Sequence, residues 1–386
     1  MPPTPSEPAE DEPPSALHYA EQALVGALLL QPDQLLSVPG LLPEHFANSL
    51  HSAVFAAMRR LTPPAPDVHR ARPIWPQAVQ AAAATRAPGL DATYLNTLMA
   101  VCPQPDHAAA YAQMVRAEHL RRSLREHAMR LTQLCDDPTL PDPAMIVANQ
   151  ANALAVFLER AAPMWPHISG PMPKQAAPDA DPPTPDALDD ERLLLATAIA
   201  YPDTLVAWLH PEDLVLPLHQ VIYRCVTAMA HRGDPIDPIT VLWQAHQHAV
   251  FSGSDPAEVL DFLRRPVGSV EHWAERIHTR AVVAAARTAG RQITDLTHDS
   301  THAPHHLLHA ARRALAPLAR IRARRHTPPP TAAPTAPRRP PALTTARVDR
   351  QRGRPPPAER AAASPAYPNR GPRPANPPGT SPPIPL

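Results

Sequence analysis

The chain has 386 residues, more than one compact core holds, and 56 of them are prolines, well above the usual share of about 5%. Its 36 basic and 36 acidic groups balance, which excludes a uniformly basic nucleic-acid binder and a supercharged acidic protein as whole-chain descriptions. Lys174 is the sole lysine and lies between Pro173 and Gln175, so these residues encode no Gly-Lys-Ser/Thr end of a phosphate-cradling loop.

In chain order, residues 1–15 form a Pro-rich acidic arm, expected to be disordered. Glu7, Glu10, Asp11 and Glu12 stand where a secretory signal would carry basic and then apolar residues. The longest apolar stretch near it, Ala23 to Leu30, is far short of the roughly 20 residues that cross a bilayer, so a cytoplasmic location is expected. Residues 16–162 read as a first helical domain. Leu24, Val25, Leu28 and Leu29 make an apolar stripe interrupted at Pro32-Asp33, with Asp33 expected to cap the next short helix. The stretch from His51 to Leu61 repeats the helical pattern through Val54, Phe55, Met58 and Leu61. Ala108 to Leu134 reads as a long amphipathic helix with Tyr111, Val115, Leu120, Leu124, Ala128 and Leu131 on one face. A further helix is expected over Ala144 to Ala162.

Residues 163–186 are a Pro/Asp-rich linker, too polar to offset ordering entropy by burial. Residues 187–326 then repeat the first domain. Glu21-Gln-Ala-Leu-Val-Gly-Ala-Leu-Leu-Leu-Gln-Pro32-Asp33 aligns with Glu191-Arg-Leu-Leu-Leu-Ala-Thr-Ala-Ile-Ala-Tyr-Pro202-Asp203, 170 positions on. Leu42-Pro43-Glu44-His45-Phe46 aligns with His210-Pro211-Glu212-Asp213-Leu214, and His51 to Phe55 with His219 to Tyr223. Pro73-Ile74-Trp75-Pro76 faces Pro235-Ile236-Asp237-Pro238, after a short Pro/Arg insertion in the first copy. The second long helix is expected to bury Trp273, Ile277, Ala281, Ile293 and Leu296, and a final one runs from His305 to Arg325. No segment alternates as a strand would, so the fold class is all-α: two tandem helical bundles joined and flanked by Pro-rich segments. Residues 327–386 are a Pro/Arg-rich tail, expected to be disordered, with 19 prolines and nine arginines.

The repeated unit resembles the N-terminal domain of DnaB-type replicative DNA helicases. The resemblance is carried by Ala20-Glu21-Gln22 running into Leu30, by Leu42-Pro43-Glu44-His45-Phe46, by the helix starts at His51 and His219, and by Gly233-Asp-Pro-Ile-Asp237-Pro-Ile-Thr240. It covers about 250 residues over both copies, without the RecA-like ATPase domain that follows in the family. The resemblance implies a non-catalytic protein of DNA replication, associating with helicase, primase or helicase loader and with itself. Two other readings stay open: an accessory protein of a plasmid or phage that binds DNA through its basic tail, and a non-ATPase subunit of a helicase assembly.

No catalytic constellation, cofactor loop or metal set is expected. The chain has 11 glycines, and its carboxylates cluster in segments where water would screen them. Cys102, Cys135 and Cys225 are isolated, as buried thiols of a reducing compartment would be. His302, His305, His306 and His309 have i, i+4 spacing but read as a surface helix rather than a metal site. His51 and His219 are expected to be structural, capping a backbone group or bonding a carboxylate such as Glu44 or Glu212. The candidate partner-binding face is Ile146, Val147, Leu154, Phe157 and Leu158. The candidate nucleic-acid contacts are Arg320, Arg322, Arg324 and Arg325 at the end of a helix, and Arg338, Arg339, Arg352 and Arg354 in the tail. That tail reads first as a weak, salt-sensitive DNA contact or a plain spacer, and after these as a dock for an acidic partner.

Overall fold

A computed structural model describes residues 15–165, 182–248 and 255–326. Among these residues all regular structure is helical. The first copy comprises α1 (Ala16–Leu30), α2 (Ser49–Met58), α3 (Pro66–Ala71), α4 (Trp75–Ala83), α5 (Ala92–Ala100), α6 (Ala108–Asp136) and α7 (Pro143–Ala161). The second comprises α8 (Pro185–Ala200), α9 (Pro217–Arg232), α10 (Pro238–His246), α11 (Pro256–Leu263), α12 (Val270–His298) and α13 (Pro304–His326). The copies match element for element apart from α3, which is the Pro/Arg insertion of the first. Its helix buries none of its residues.

Prolines position the helix starts rather than break them. Eight of the thirteen helices carry Pro at the first or second position, where the missing N–H would have no partner in any case. The two copies begin corresponding helices by different means. Asn48 caps α2 by accepting from Leu50 N at 2.8 Å and His51 N at 3.2 Å, whereas α9 starts on Leu216-Pro217 with no side-chain cap. α9 ends on Gly233 at φ 71°, whose left-handed conformation lets Asp234 N reach the Met229 carbonyl at 3.0 Å. The cap expected at Asp33 is not formed. Gln31 holds the N-cap position of the short 3-10 turn Pro32–Ser37, and Asp33 lies inside its first turn.

Each copy has its own globular core. α1, α2, α4, α5 and the start of α6 close over Leu24, Leu28, Val54, Phe55, Trp75 and Leu98. α8 to α11 and the start of α12 close over Leu194, Leu195, Ile222, Tyr223, Val241 and Ile277. The apolar face read for α6 is buried throughout its middle, at Val115, Leu120, Leu124, Ala128 and Leu131. The face read for α12 is shifted: Ala281 and Leu296 are only half-buried, and Val282, Ala286 and Ala289 are buried instead. Asp190, four residues past the expected linker, is anchored in the second copy. It lies in α8, 5% exposed, with Arg276 Nε at 3.0 Å from Oδ2 and Arg280 also on that oxygen.

Candidate interaction surface

Helices α6 with α7 and α12 with α13 are two hairpins projecting from the globular cores. They share a third apolar core, to which α6 gives Leu120, Leu124, Ala128 and Leu131 and α7 gives Val147, Ala151, Leu154 and Leu158. α12 adds Val282, Ala286, Ala289 and Ile293, and α13 adds Leu307, Leu308, Ala311, Ala314, Leu315 and Leu318. Four helices thus close a bundle to whose core both copies contribute.

The contacts are reciprocal. Arg125 of α6 donates from Nη2 to the Thr297 carbonyl at 2.8 Å, at the end of α12. Arg287 of α12, 162 positions later, donates from Nη2 to the Cys135 carbonyl at 2.7 Å and from Nε to Asp136 Oδ1 at 2.9 Å, at the end of α6. Each arginine supplies donors to the carbonyl-rich C-terminus of the other copy's helix, where the helix dipole favours a cation. Cys135 and Thr297 are themselves 162 positions apart, so residue i meets j while the equivalent of j meets the equivalent of i. Such exchange defines a two-fold isologous interface, here inside one chain. The turns after the two helices repeat as well: Asp137 Oδ1 accepts from Thr139 N at 2.9 Å and Oγ1 at 2.6 Å, and Asp299 Oδ1 accepts from Thr301 N and Oγ1 at the same distances. Arg121 breaks the symmetry, donating to the carbonyls of Asp299 at 2.6 Å and His302 at 3.0 Å, while its counterpart is Val283.

Where α6 crosses α12, a side chain has no room. A Cβ on Gly290 would stand 2.4 Å from Thr132 Oγ1 and 3.1 Å from the Ala128 carbonyl. Burial at this seam pushes the Cys135 thiol up to about 11, which keeps it protonated at neutral pH. Its Sγ lies 3.5 Å from the Val283 carbonyl, again across the two copies.

This arrangement corrects the expected partner face. Val147, Leu154 and Leu158 are at most 1% exposed, and Ile146 and Phe157 are partly buried. Val147, Leu154 and Leu158 present no open surface, because the second hairpin of the same chain covers their face. The arginine cluster at the end of α13 is similarly engaged. Arg322 Nη1 donates to Asn152 Oδ1 at 2.7 Å across the copies, and Arg324 donates to both oxygens of Asp213 at 3.2 and 3.3 Å. Arg325 holds Glu275 with two bonds of 2.5 Å and covers the Trp208 ring at 4.9 Å. Arg320 alone of the four is exposed with only a 3.4 Å bond to its own helix, at the Ala316 carbonyl. Arg338, Arg339, Arg352 and Arg354 lie outside the described residues, as do the arm up to residue 14 and most of the linker.

Within each globular core a histidine and a glutamate are buried together. His51 Nδ1 lies 2.9 Å from Glu21 Oε2, and His219 Nδ1 lies 2.7 Å from Glu191 Oε2. Each carboxylate also accepts backbone N–H groups from the turn before the helix: Ala47 and Asn48 in the first copy, Val215 and Leu216 in the second. Tyr94 completes the first set at 2.8 Å from His51 Nε2; burial and Glu21 push its hydroxyl up, so it keeps its proton. The partners are therefore Glu21 and Glu191, not Glu44 and Glu212. Both glutamates open the aligned segments of the repeat, a signal that the sequence carried and that pairing by proximity along the chain overlooked. Among the described residues no three His, Cys, Asp or Glu side chains are placed to hold a metal ion, and no helix is long and apolar enough to cross a membrane.

Two all-α copies of one unit, packed through reciprocal hairpins, define the class: a tandem helical protein whose copies meet along a pseudo-two-fold seam. Residues 12–117 and 183–279 match the family described as the DnaB-like helicase N terminal domain, once in each copy. The chain belongs to that family, which places it in a helicase-related replication setting. No curated protein and no solved structure matches it. The matched segments stop within α6 and α12, so the C-terminal halves of those helices, with α7 and α13, lie beyond them.

Proposed function

We propose that the chain is a non-catalytic, ready-made dimer of DnaB N-terminal-type domains, acting in the cytoplasm by association with a replicative helicase, its primase or its loader. The observation that carries this reading is the reciprocal pairing of Arg125 with the end of α12 and Arg287 with the end of α6. A surface that separate subunits of an oligomer would have to find by collision is satisfied within one chain, with no loss of translational freedom.

With the hairpin face used internally, a partner must meet the globular ends. There the copies differ. α10 exposes Ile239 at 54% and Trp243 at 67%, four residues apart on one face, where α4 carries Gln77 and Ala81. An exposed tryptophan beside an aliphatic neighbour is the usual anchor of a small, reversible protein interface.

The test is capture of purified helicase, primase and loader by the immobilised full chain. At least one is expected to be retained at micromolar concentration, and Trp243→Ala to weaken that retention about tenfold, the effect of a central interface aromatic. Retention of none of the three removes the proposal. Retention unaffected by Trp243→Ala keeps the association and removes α10 as its site.

A further inference from the structure

Beside the first globular core lies a group of cations with no acid among them. His45 sits at the end of a 3-10 turn, Pro43–His45, and is 4% exposed. Its ring is 4.6 Å from that of His119 on α6. One helical turn to either side, α6 brings Arg116, 8% exposed, and Arg122. Arg116 Nη2 donates to the Pro39 carbonyl and Arg122 Nη2 to the His45 carbonyl at 3.2 Å. Among the described residues Arg116 Nε and Arg122 Nη1 are buried with no hydrogen-bond partner. A charged donor left so costs more than almost any other buried polar group. Glu44 and Glu126 are the acids whose charge is felt here, at His119, and both side chains are exposed.

The second copy shows how the same place is balanced. Asp213 replaces His45, accepts the His210 N–H at 2.9 Å as His45 Nδ1 accepts that of Leu42 at 3.2 Å, and takes Arg324 on its two oxygens. The positions equivalent to Arg116, His119 and Arg122 are His278, Ala281 and Ala284. The second copy has a carboxylate, one arginine and one histidine, His278. The other has two arginines, two histidines and no carboxylate.

We propose that the Arg116, Arg122, His45 and His119 cluster is an oxyanion-binding site of the first copy, taking a carboxylate or a phosphoryl group on the two unpartnered guanidinium N–H donors. Two N–H donors of guanidinium groups suit either oxyanion, and an ion bound there does from outside what Asp213 does from within the second copy. Burial first, and then the charges of His119, Arg116 and Arg122, lower His45, and burial followed by Arg122 lowers His119.

The full chain is unfolded thermally at constant ionic strength with inorganic phosphate, or acetate, replacing chloride. Either anion at about ten millimolar is expected to raise Tm by a few degrees. A response to acetate alone assigns the site to acidic side chains, and a stronger response to phosphate assigns it to phosphoryl groups. His45→Asp supplies the carboxylate internally and should abolish the anion-dependent shift; Arg122→Gln, which needs no repacking of the turn, should at least halve it. No shift in the unsubstituted protein overturns the proposal. So does an equal shift in the unsubstituted protein and in Arg122→Gln, which would mark a general salt effect.

Discussion

Tyr223 and Phe55 occupy the same place in their copies, and both are fully buried. Among the described residues the hydroxyl of Tyr223 has no hydrogen-bond partner, and burial together with the nearby Asp213 pushes it upward, away from ionisation. Since a buried hydroxyl without a partner opposes folding and Phe55 shows that the fold accepts the bare ring, Tyr223→Phe should be neutral or stabilising by up to about 1 kcal/mol. Denaturant melts of the two proteins check it, and a loss beyond that amount would mean that the hydroxyl is satisfied. His45 gives the pH counterpart. Burial, His119, Arg116 and Arg122 lower it to about 4, while an unfolded histidine titrates near 6.5. As pH falls through that interval the unfolded chain takes up a proton that the folded chain refuses, so stability is full above about 6.5 and declines toward about 4. The difference corresponds to up to about 3 kcal/mol. His119, His127 and His278 are lowered too and act in the same direction. Urea midpoints measured from pH 7 to pH 4 should fall steadily, and His45→Asp should flatten the slope.

At the scale of elements, the copies show one helix start built twice. Asp237 caps α10 through bonds to Ile239 N at 2.8 Å and Thr240 N at 3.1 Å, and Thr240 Oγ1 accepts from Asp237 N at 3.0 Å. In α4 the same position is Trp75, 2% exposed, whose Nε1 donates to the Leu28 carbonyl at 3.1 Å; the helix has exchanged a cap for a core residue. Asp237→Ala should therefore cost about 1 kcal/mol, the value of a cap, and Trp75→Ala about 3–5 kcal/mol, the value of a buried aromatic. Equal losses at the two sites in thermal or denaturant unfolding would contradict this account. Helices of this kind were legible in the sequence because their apolar spacing is local: α6, α7 and α13 lie within a few residues of their expected bounds. The capping at Asp33 was not, since Gln31-Pro32 already fixes the start of that turn. Nor was the buried face of α12. Its Ala-rich middle, Ala284 to Ala286, gives periodicity little contrast, and the partner α6 selects the face.

For the whole molecule, the repeat itself was readable, but the pairing of the hairpins was not. An apolar face states that something covers it, and Val147, Leu154 and Leu158 gave no sign that the cover was 160 residues away in the same chain. In the sequence Arg125 and Arg287 are two polar residues among others on amphipathic helices. Their role depends on two helix ends meeting in space, which no local pattern encodes. Gly290 was silent for the same reason, and it supplies the sharpest test of the seam. Gly290→Leu would drive a side chain into Thr132 and the Ala128 carbonyl, where even a Cβ stands at 2.4 Å from Thr132 Oγ1. A backbone carbonyl on a helix cannot give way, so α6 and α12 must part while the two globular cores, which do not include this position, keep their packing. The expected result is helical circular dichroism close to that of the unsubstituted chain, a larger radius of gyration by X-ray scattering, and a Cys135 thiol that is alkylated rapidly at pH 8 once the burial holding it near 11 is lost. Cys225 lies in the core of the second copy and should stay protected, which makes it the internal reference. If both thiols react together, the substitution has unfolded a copy rather than opened the seam. If neither reacts and the radius is unchanged, the reciprocal hairpin packing is not what holds the copies together.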